Sequence, residues 1–224
     1  MYLELEELYN MKTIQSKFNE ELLLEQLLDS PHVTSQITKI KKGTYFSKGP
    51  TSQDNIYFLI KGIAGLHYNE RLVVVADQKD FIGLDDLLTK EAPTYIVEAL
   101  DECEVIVFDR HEIMDFIFSM QEGWLYLYLN EKKHHETLVE KIKFLREKGI
   151  DRLTHTYYDL ANRFGEPTTD GKILPRCFNL KRLAEIANIS ANSVASFNEV
   201  LKERGVIVKD GANCIVKTGT EQII

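Results

Sequence analysis

Residues 180–204 read LKRLAEIANISANSVASFNEVLKER, two short apolar-periodic segments with Asn188-Ile189-Ser190 between them. Asn179 is a good N-cap for the first segment, whose Leu180, Leu183, Ala184 and Ala187 fall on one inward face. Asn188 tolerates the left-handed conformation that ends a helix. Ser190 then caps a second helix with Val194, Phe197 and Leu201 turned inward. Two helices joined by so short a turn, with a small residue (Ala184) where they cross, predict a helix-turn-helix. The following VIV and CIVK runs, joined by an Asp210-Gly211 turn, predict a hairpin wing. A second helix mounted in this way can project into a DNA major groove. Near its start stand Ser190, Ala191, Asn192, Ser193 and Ser196, small groups suited to direct readout, since asparagine pairs bidentately with adenine and serine bonds to bases or phosphates. Lys181, Arg182, Lys202, Arg204 and Lys209 lie around the motif to meet phosphates. The plainer alternative is a helical hairpin packed into a core.

Charge is distributed in keeping with the first reading. The chain of 224 residues has a formal net charge of −8, yet residues 151–224 hold 10 Lys+Arg against 9 Asp+Glu, a net of +1. Residues 1–150 hold 17 against 26, a net of −9. The length suits two cores better than one. No apolar run reaches a membrane span, because IYFLIKGIAGL is interrupted by Lys61 and two glycines. The N-terminal MYLELEELYNMK carries acids where a signal peptide carries bases, so a cytoplasmic protein is expected. Cys103, Cys177 and Cys214 are odd in number and widely spaced, which argues against a disulfide framework or a CxxC metal site.

Residues 2–30 are expected to be helical, with a stripe of Leu22, Leu23, Leu24, Leu27 and Leu28 ending at Ser30-Pro31. Residues 33–109 change to short β-like runs broken by glycines and turn residues, the pattern of a sandwich or jelly-roll barrel with room for a small ligand. After a short helix around RHEIMDFIFSM, residues 124–149 lack proline and interior glycine and predict a helix approaching ~37 Å. Its first turns, Trp124 to Leu129, are apolar all round. Leu138, Val139, Ile142 and Leu145 continue as one stripe. That stripe serves either a domain-spanning core or a dimer seam, with Lys132 and His135 as imperfect seam residues. Asp151 is expected to cap a further helix ending at Gly165, followed by a turn-rich EPTTDGK loop and an extended ILPRCFNL.

The order of parts, GTYFSKGPTSQDNIYFLIKGIAGL, KDFIGLDDLL, ECEVIVFDRHEI, a long helix and the helix-turn-helix with its wing, resembles the Crp/Fnr family of bacterial transcription regulators over roughly residues 42–217. The resemblance implies an α+β chain in three parts. These are a cyclic-nucleotide-binding-like β-roll with an N-terminal helix in residues 1–123, a dimerisation helix in 124–149, and a winged helix-turn-helix in 150–224. It further implies a homodimer reading a two-fold symmetric site on double-stranded DNA through helix 190–204, with RNA polymerase as a further partner in the manner of an activator. An effector pocket would involve Phe81, Gly83, Leu84, Thr94 and Tyr128.

Departures from the family pattern sharpen the expectation. Members that bind cyclic AMP place an arginine and a serine where this chain has Pro93 and Thr94, with only Lys90 nearby. A buried cyclic phosphate would therefore lack its cation, and any small-molecule effector is expected not to be cyclic AMP. No cysteine precedes Cys103, which excludes the cysteine-ligated iron–sulfur cluster of the oxygen-sensing branch. His67, His134 and His135 are isolated candidates for haem, and neither cofactor nor metal is expected. In the reading helix the family often has glutamate and arginine at Asn192 and Ser196 and an arginine at Ala191, so the preferred site should be richer in A·T.

Two other classes compete on the residues. A cupin-like enzyme needs several His and a carboxylate converging on a metal, and residues 33–109 contain only His67. GxSxG, HExxH and phosphate-loop motifs are absent, so no enzyme is expected. The remaining alternative is a ligand-binding interaction module whose C-terminal part docks protein rather than DNA.

Overall fold

The computed structural model describes residues 6–46, 54–84 and 95–217. The chain is α+β. It separates into two compact units, Met1–Glu70 with Val75–Val139, and Arg71–Val74 with Glu140–Ile224.

The first unit starts with a 3-10 turn at Glu7–Tyr9, α1 (Met11–Lys17) and α2 (Glu20–Asp29). The single helix expected over residues 2–30 is therefore broken. Asn10 caps α1 by accepting from the backbone N–H of Lys12 and Thr13, and Asn19 caps α2 by accepting from that of Leu22. Each asparagine offers an N-cap oxygen that competes with continuing the preceding turn. Of the leucine stripe, Leu23 and Leu27 are buried and Leu28 is exposed.

Strands β1 (Ser35–Ile40), β2 (Asn55–Lys61), β3 (Ala64–Tyr68), β4 (Arg71–Ala76), β5 (Phe81–Ile82), β6 (Ile96–Ala99) and β7 (Cys103–Asp109) follow. They form one sheet in the order β1-β7-β2-β5 and another in the order β4-β3-β6, the β-roll read from the sequence. The central strands are apolar without alternation because both of their faces are covered. Ile56 and Phe58 of β2, with Ile106 and Phe108 of β7, pack on Leu23, Leu27, Ile113, Ile117 and Leu125. Tyr57, Leu59, Cys103 and Val105 point the other way, onto Ala64, Val97 and Ala99 inside the roll. Gly62 makes the β2–β3 corner at φ +105°, where a Cβ would lie 2.3 Å from the Glu102 carbonyl oxygen. Only glycine fits there.

Helix α3 (Arg110–Ser119), capped by the Asp109 carboxylate, leads to the long α4 (Trp124–Phe144). Helix α4 stops five residues before the expected end at 149. Its 21 residues span ~31 Å at 1.5 Å per residue rather than ~37 Å. Burial of its first turns is one-sided, since Leu125 and Tyr126 are buried while Trp124 and Tyr128 are exposed.

In the second unit, α5 (Gly149–Phe164) starts before Asp151, which falls in its first turn instead of capping it. Strands β8 (Glu166–Thr168) and β9 (Gly171–Leu174) turn the expected loop into a hairpin. Helices α6 (Leu180–Ala187) and α7 (Ala191–Glu203) follow, then β10 (Ile207–Asp210) and β11 (Asn213–Val216). The four strands form one sheet, β10-β11-β9-β8, so the wing is anchored on the β8–β9 hairpin. Leu153, Tyr157 and Leu160 of α5 and Leu183, Ala187, Val194 and Leu201 of α6 and α7 are buried.

Candidate nucleic-acid interface

Helix α6 ends as the sequence required. Asn188 sits at φ 50°, ψ 52°, and its N–H donates to the carbonyls of Ala184 and Glu185. Ser190 then starts α7, its Oγ accepting from the Ser193 N–H at 3.0 Å and lying 2.8 Å from the Ser193 hydroxyl. Ala184, the small residue expected where the two helices cross, is buried at 6% exposure. Leu180 was expected inward and is 46% exposed. As the first residue of α6 it precedes the turn that meets the core. Phe197 is half-buried, and the position beside it, Asn198, is buried.

The start of α7 presents Ala191, Asn192 and Ser196 to solvent, with Ser193 half-buried. The Ser196 hydroxyl donates to the Ser193 carbonyl at 3.1 Å, whereas no bond from the described residues engages the side chain of Asn192. The surrounding cations differ in availability. The Lys181 side chain is 83% exposed, with Nζ 3.9 Å from the Glu185 carboxylate. Lys209 is exposed on the wing. Lys202 is held 2.6 Å from Glu199, and that hydrogen bond lowers the Glu199 carboxyl below its ordinary range. Arg182 donates to the Cys177 carbonyl at 3.1 Å, which ties it to the base of α6.

Several residues that position this surface carried little signal in the sequence. Arg152 of α5 reaches four carbonyls. Nε donates to Ala187 at 2.9 Å and Nη2 to Asn188 at 3.0 Å, while Nη1 donates to Leu145 at 3.1 Å and Glu147 at 3.3 Å. Lys141, at the end of α4, donates to the Ile186 carbonyl at 2.8 Å, and burial lowers its ammonium below the usual lysine range. Two cations thus meet three consecutive carbonyls at the C-terminus of α6, the negative end of its dipole. In the interior, the Tyr157 hydroxyl donates to Asn198 Oδ1 at 2.9 Å. Burial raises the Tyr157 phenol well above its ordinary range, which keeps it a donor. A polar residue at an inward helical position, between Val194 and Leu201, was the available signal for Asn198.

Of the residues expected to line an effector pocket, four lie among the described residues. Phe81 is buried in the sheet core, with its ring 4.9 Å from that of Phe58. Gly83 follows β5 at φ +92°. Tyr128 is 46% exposed beside Trp124. Leu84 lines a cleft of about 420 Å³ between α2 and α4. Thr94, like Lys90 and Pro93, lies outside the described residues. Inside the roll, His67 Nε2 lies 2.9 Å from Glu98 Oε2, without the alignment of a hydrogen bond. Cys103 is fully buried with its thiol 3.4 Å from the Ile63 carbonyl, and burial pushes it up to about 11. Cys177 is buried, and burial also raises the half-buried Cys214. Among the described residues no three His, Cys, Asp or Glu side chains converge, and no helix is long and apolar enough to cross a membrane.

Residues 37–120 match the family described as the cyclic nucleotide-binding domain. Among curated protein sequences none matches this chain. Several solved structures are similar in fold. The c-di-GMP-responsive global regulator CLP of Xanthomonas campestris is 14% identical, with 89% of this chain and 100% of that one covered and a TM-score of 0.69. FixK2 of Bradyrhizobium japonicum is 12% identical, with coverage of 84% and 95% and a TM-score of 0.69. TTHB099, a CRP-family transcriptional regulator of Thermus thermophilus, is 15% identical, with coverage of 80% and 91% and a TM-score of 0.64. Residues 37–120 are thus similar to a cyclic nucleotide-binding domain, and over most of its length the chain is similar in fold to regulators of the Crp/Fnr kind, in keeping with the resemblance read in the sequence.

Proposed function

We propose that the protein is a homodimeric transcription regulator, not an enzyme, which binds a two-fold symmetric site on double-stranded DNA in the cytoplasm and acts with RNA polymerase. The observation that carries this is helix α7. Its inner face is fixed by buried Val194, Asn198 and Leu201, and its N-terminal outer face offers Asn192 and Ser196 to solvent beside a β10–β11 wing. Such an exposed N-terminal face supports the reading, because a recognition helix meets base edges with its first turns. Lys181, Arg182, Lys202 and Lys209 flank it for phosphate contact, with Ser190, Ala191 and Ser193 at its start. Pairing is supported by α4, whose exposed Trp124, Tyr128, Leu138 and Ile142 follow the 4- and 3-residue steps of a heptad seam, with Glu131 and His135 between them.

The test is selection of genomic DNA fragments by the purified protein, followed by titration of the recovered duplex. A symmetric motif with half-sites one helical turn apart is expected, with a steep salt dependence. Asn192→Ala should weaken specific binding by ~1–3 kcal/mol and relax one base position. A monomer that retains no symmetric duplex overturns the proposal.

A further inference from the structure

The cleft under α2 holds a set of groups that the DNA-binding reading leaves unused. Three segments remote in sequence build it: the α1–α2 junction, residues on either side of β5, and the first half of α4. Its floor is apolar, with Phe18, Leu23 and Leu84 facing Tyr126 and Leu129. At about 420 Å³ it falls within the range of small-molecule sites. Asn130, on its α4 wall, is 6% exposed, and no group among the described residues bonds its side-chain amide. The amide is not among the buried groups left without a partner, so it stands accessible from the cleft, where a polar ligand atom can bond it.

Charge at the rim is unbalanced in one direction. The ammonium of Lys79 is taken by Glu21, and that of Lys132 by Glu136 at 2.5 Å. That leaves Lys133 Nζ to serve two carboxylates, Glu20 at 3.1 Å and Asp80 at 2.6 Å. With both ionised, this triad carries one uncompensated negative charge; Glu20 and Lys133 line the cleft, and Asp80 stands behind them, outside its lining. Among the described residues, the charged groups around Glu20 are Glu21 on its own helix, Lys79 and Asp80 on the turn before β5, and Lys132, Lys133 and Glu136 on α4.

We infer that this cleft is a ligand site for a small organic ammonium, whose cation completes the Glu20–Asp80–Lys133 triad, whose apolar body lies on Phe18, Leu84 and Leu129, and whose polar end meets Asn130. Burial first, and the neighbouring Asp80 next, raise the Glu20 carboxyl to about 7 despite Lys133. An incoming cation favours the ionised form, so binding should release a proton and strengthen as pH rises through 7. The inference concerns the first unit alone and goes beyond the DNA-binding reading. It would stand if that reading failed, and the reverse also holds.

The experiment is calorimetric titration of the full-length protein, without DNA, with tyramine, 4-ethylphenol and phenethylamine at pH 6 and pH 8. Tyramine is expected to bind, and to bind roughly tenfold more tightly at pH 8, as the ionised fraction of Glu20 rises. The neutral 4-ethylphenol should bind more weakly and without pH dependence. Asn130→Leu should abolish the preference for tyramine over phenethylamine. Glu20→Gln should remove the pH dependence and weaken tyramine at least roughly tenfold, the value of one 1.4 kcal/mol contact. Asp80→Asn, which removes the same net charge from a different element, should weaken it similarly, so a folding defect in either variant does not decide the outcome. Absence of saturable heat with tyramine, equal affinity for 4-ethylphenol, or unaltered binding in a folded Glu20→Gln or Asp80→Asn variant overturns the inference.

Discussion

Replacing Tyr157 by phenylalanine deletes one hydroxyl and nothing else from the core behind the candidate recognition helix. Tyr157 is 2% exposed and Asn198 4%, and the 2.9 Å bond between them joins α5 to α7. Loss of the donor leaves Asn198 Oδ1 without a partner in a site that excludes water, which costs about 1–3 kcal/mol. For a unit of this size, 1 kcal/mol moves the midpoint by roughly 4–8 °C, so thermal unfolding followed by circular dichroism should show a clear drop. Asn198→Leu makes the complementary error by stranding the Tyr157 hydroxyl. The double variant Tyr157→Phe with Asn198→Leu removes both polar groups and should recover much of the loss, a coupling of about 1 kcal/mol or more. Were Tyr157→Phe to leave stability unchanged within about 0.3 kcal/mol, or the two losses simply to add, the bond would not be what fixes α7 on α5.

Other consequences follow from single residues. Gly62→Ala combines an unfavourable φ of +105° with a Cβ 2.3 Å from the Glu102 carbonyl, and chemical denaturation should show a loss of at least ~3 kcal/mol. Arg152→Lys keeps the charge but not the fork that reaches four carbonyls, so unfolding by urea should show a loss of about 1–2 kcal/mol. On the proposed pairing through α4, Ile142→Glu places a carboxylate on its exposed stripe and should shift sedimentation from dimer to monomer without changing the circular dichroism spectrum. Glu20 keeps its proton up to about 7 in the folded chain and loses it in the ordinary carboxylate range when unfolded. The folded state therefore binds more protons across that window, and stability falls as pH rises through it. Glu20→Gln removes the effect, so the variant should gain on the parent between pH 5 and pH 8 in parallel melts.

What was legible in the sequence was what local chemistry decides alone. Asn179, Asn188 and Ser190 placed the helix-turn-helix because each acts within four residues of itself, through a cap or a left-handed turn. The β-roll was visible because β2 and β7 are apolar on both faces and punctuated by glycine. The errors arose where the same local signals were outweighed by periodicity. Asn10 and Asn19 are N-caps of the same type as Asn179, yet the leucine stripe beyond them suggested one continuous helix. Leu180 was assigned inward by period, although the first residue of a helix lies outside the turns that pack.

The cleft was hidden for a different reason. Glu20, Asp80 and Lys133 are 60 and 53 positions apart along the chain, and each reads alone as an ordinary surface charge. Their meaning comes from stoichiometry, two carboxylates on one ammonium, which exists only after α2, the turn before β5 and α4 have been packed together. The same holds for Arg152, whose role lies in carbonyls at positions 145, 147, 187 and 188 that no side-chain pattern advertises. Backbone acceptors are present at every residue, so a sequence marks the donor without naming the acceptors. A cation that is half-buried and close to a helix C-terminus in the fold is the form in which such a residue becomes recognisable, and Lys141 meets the same description through the Ile186 carbonyl.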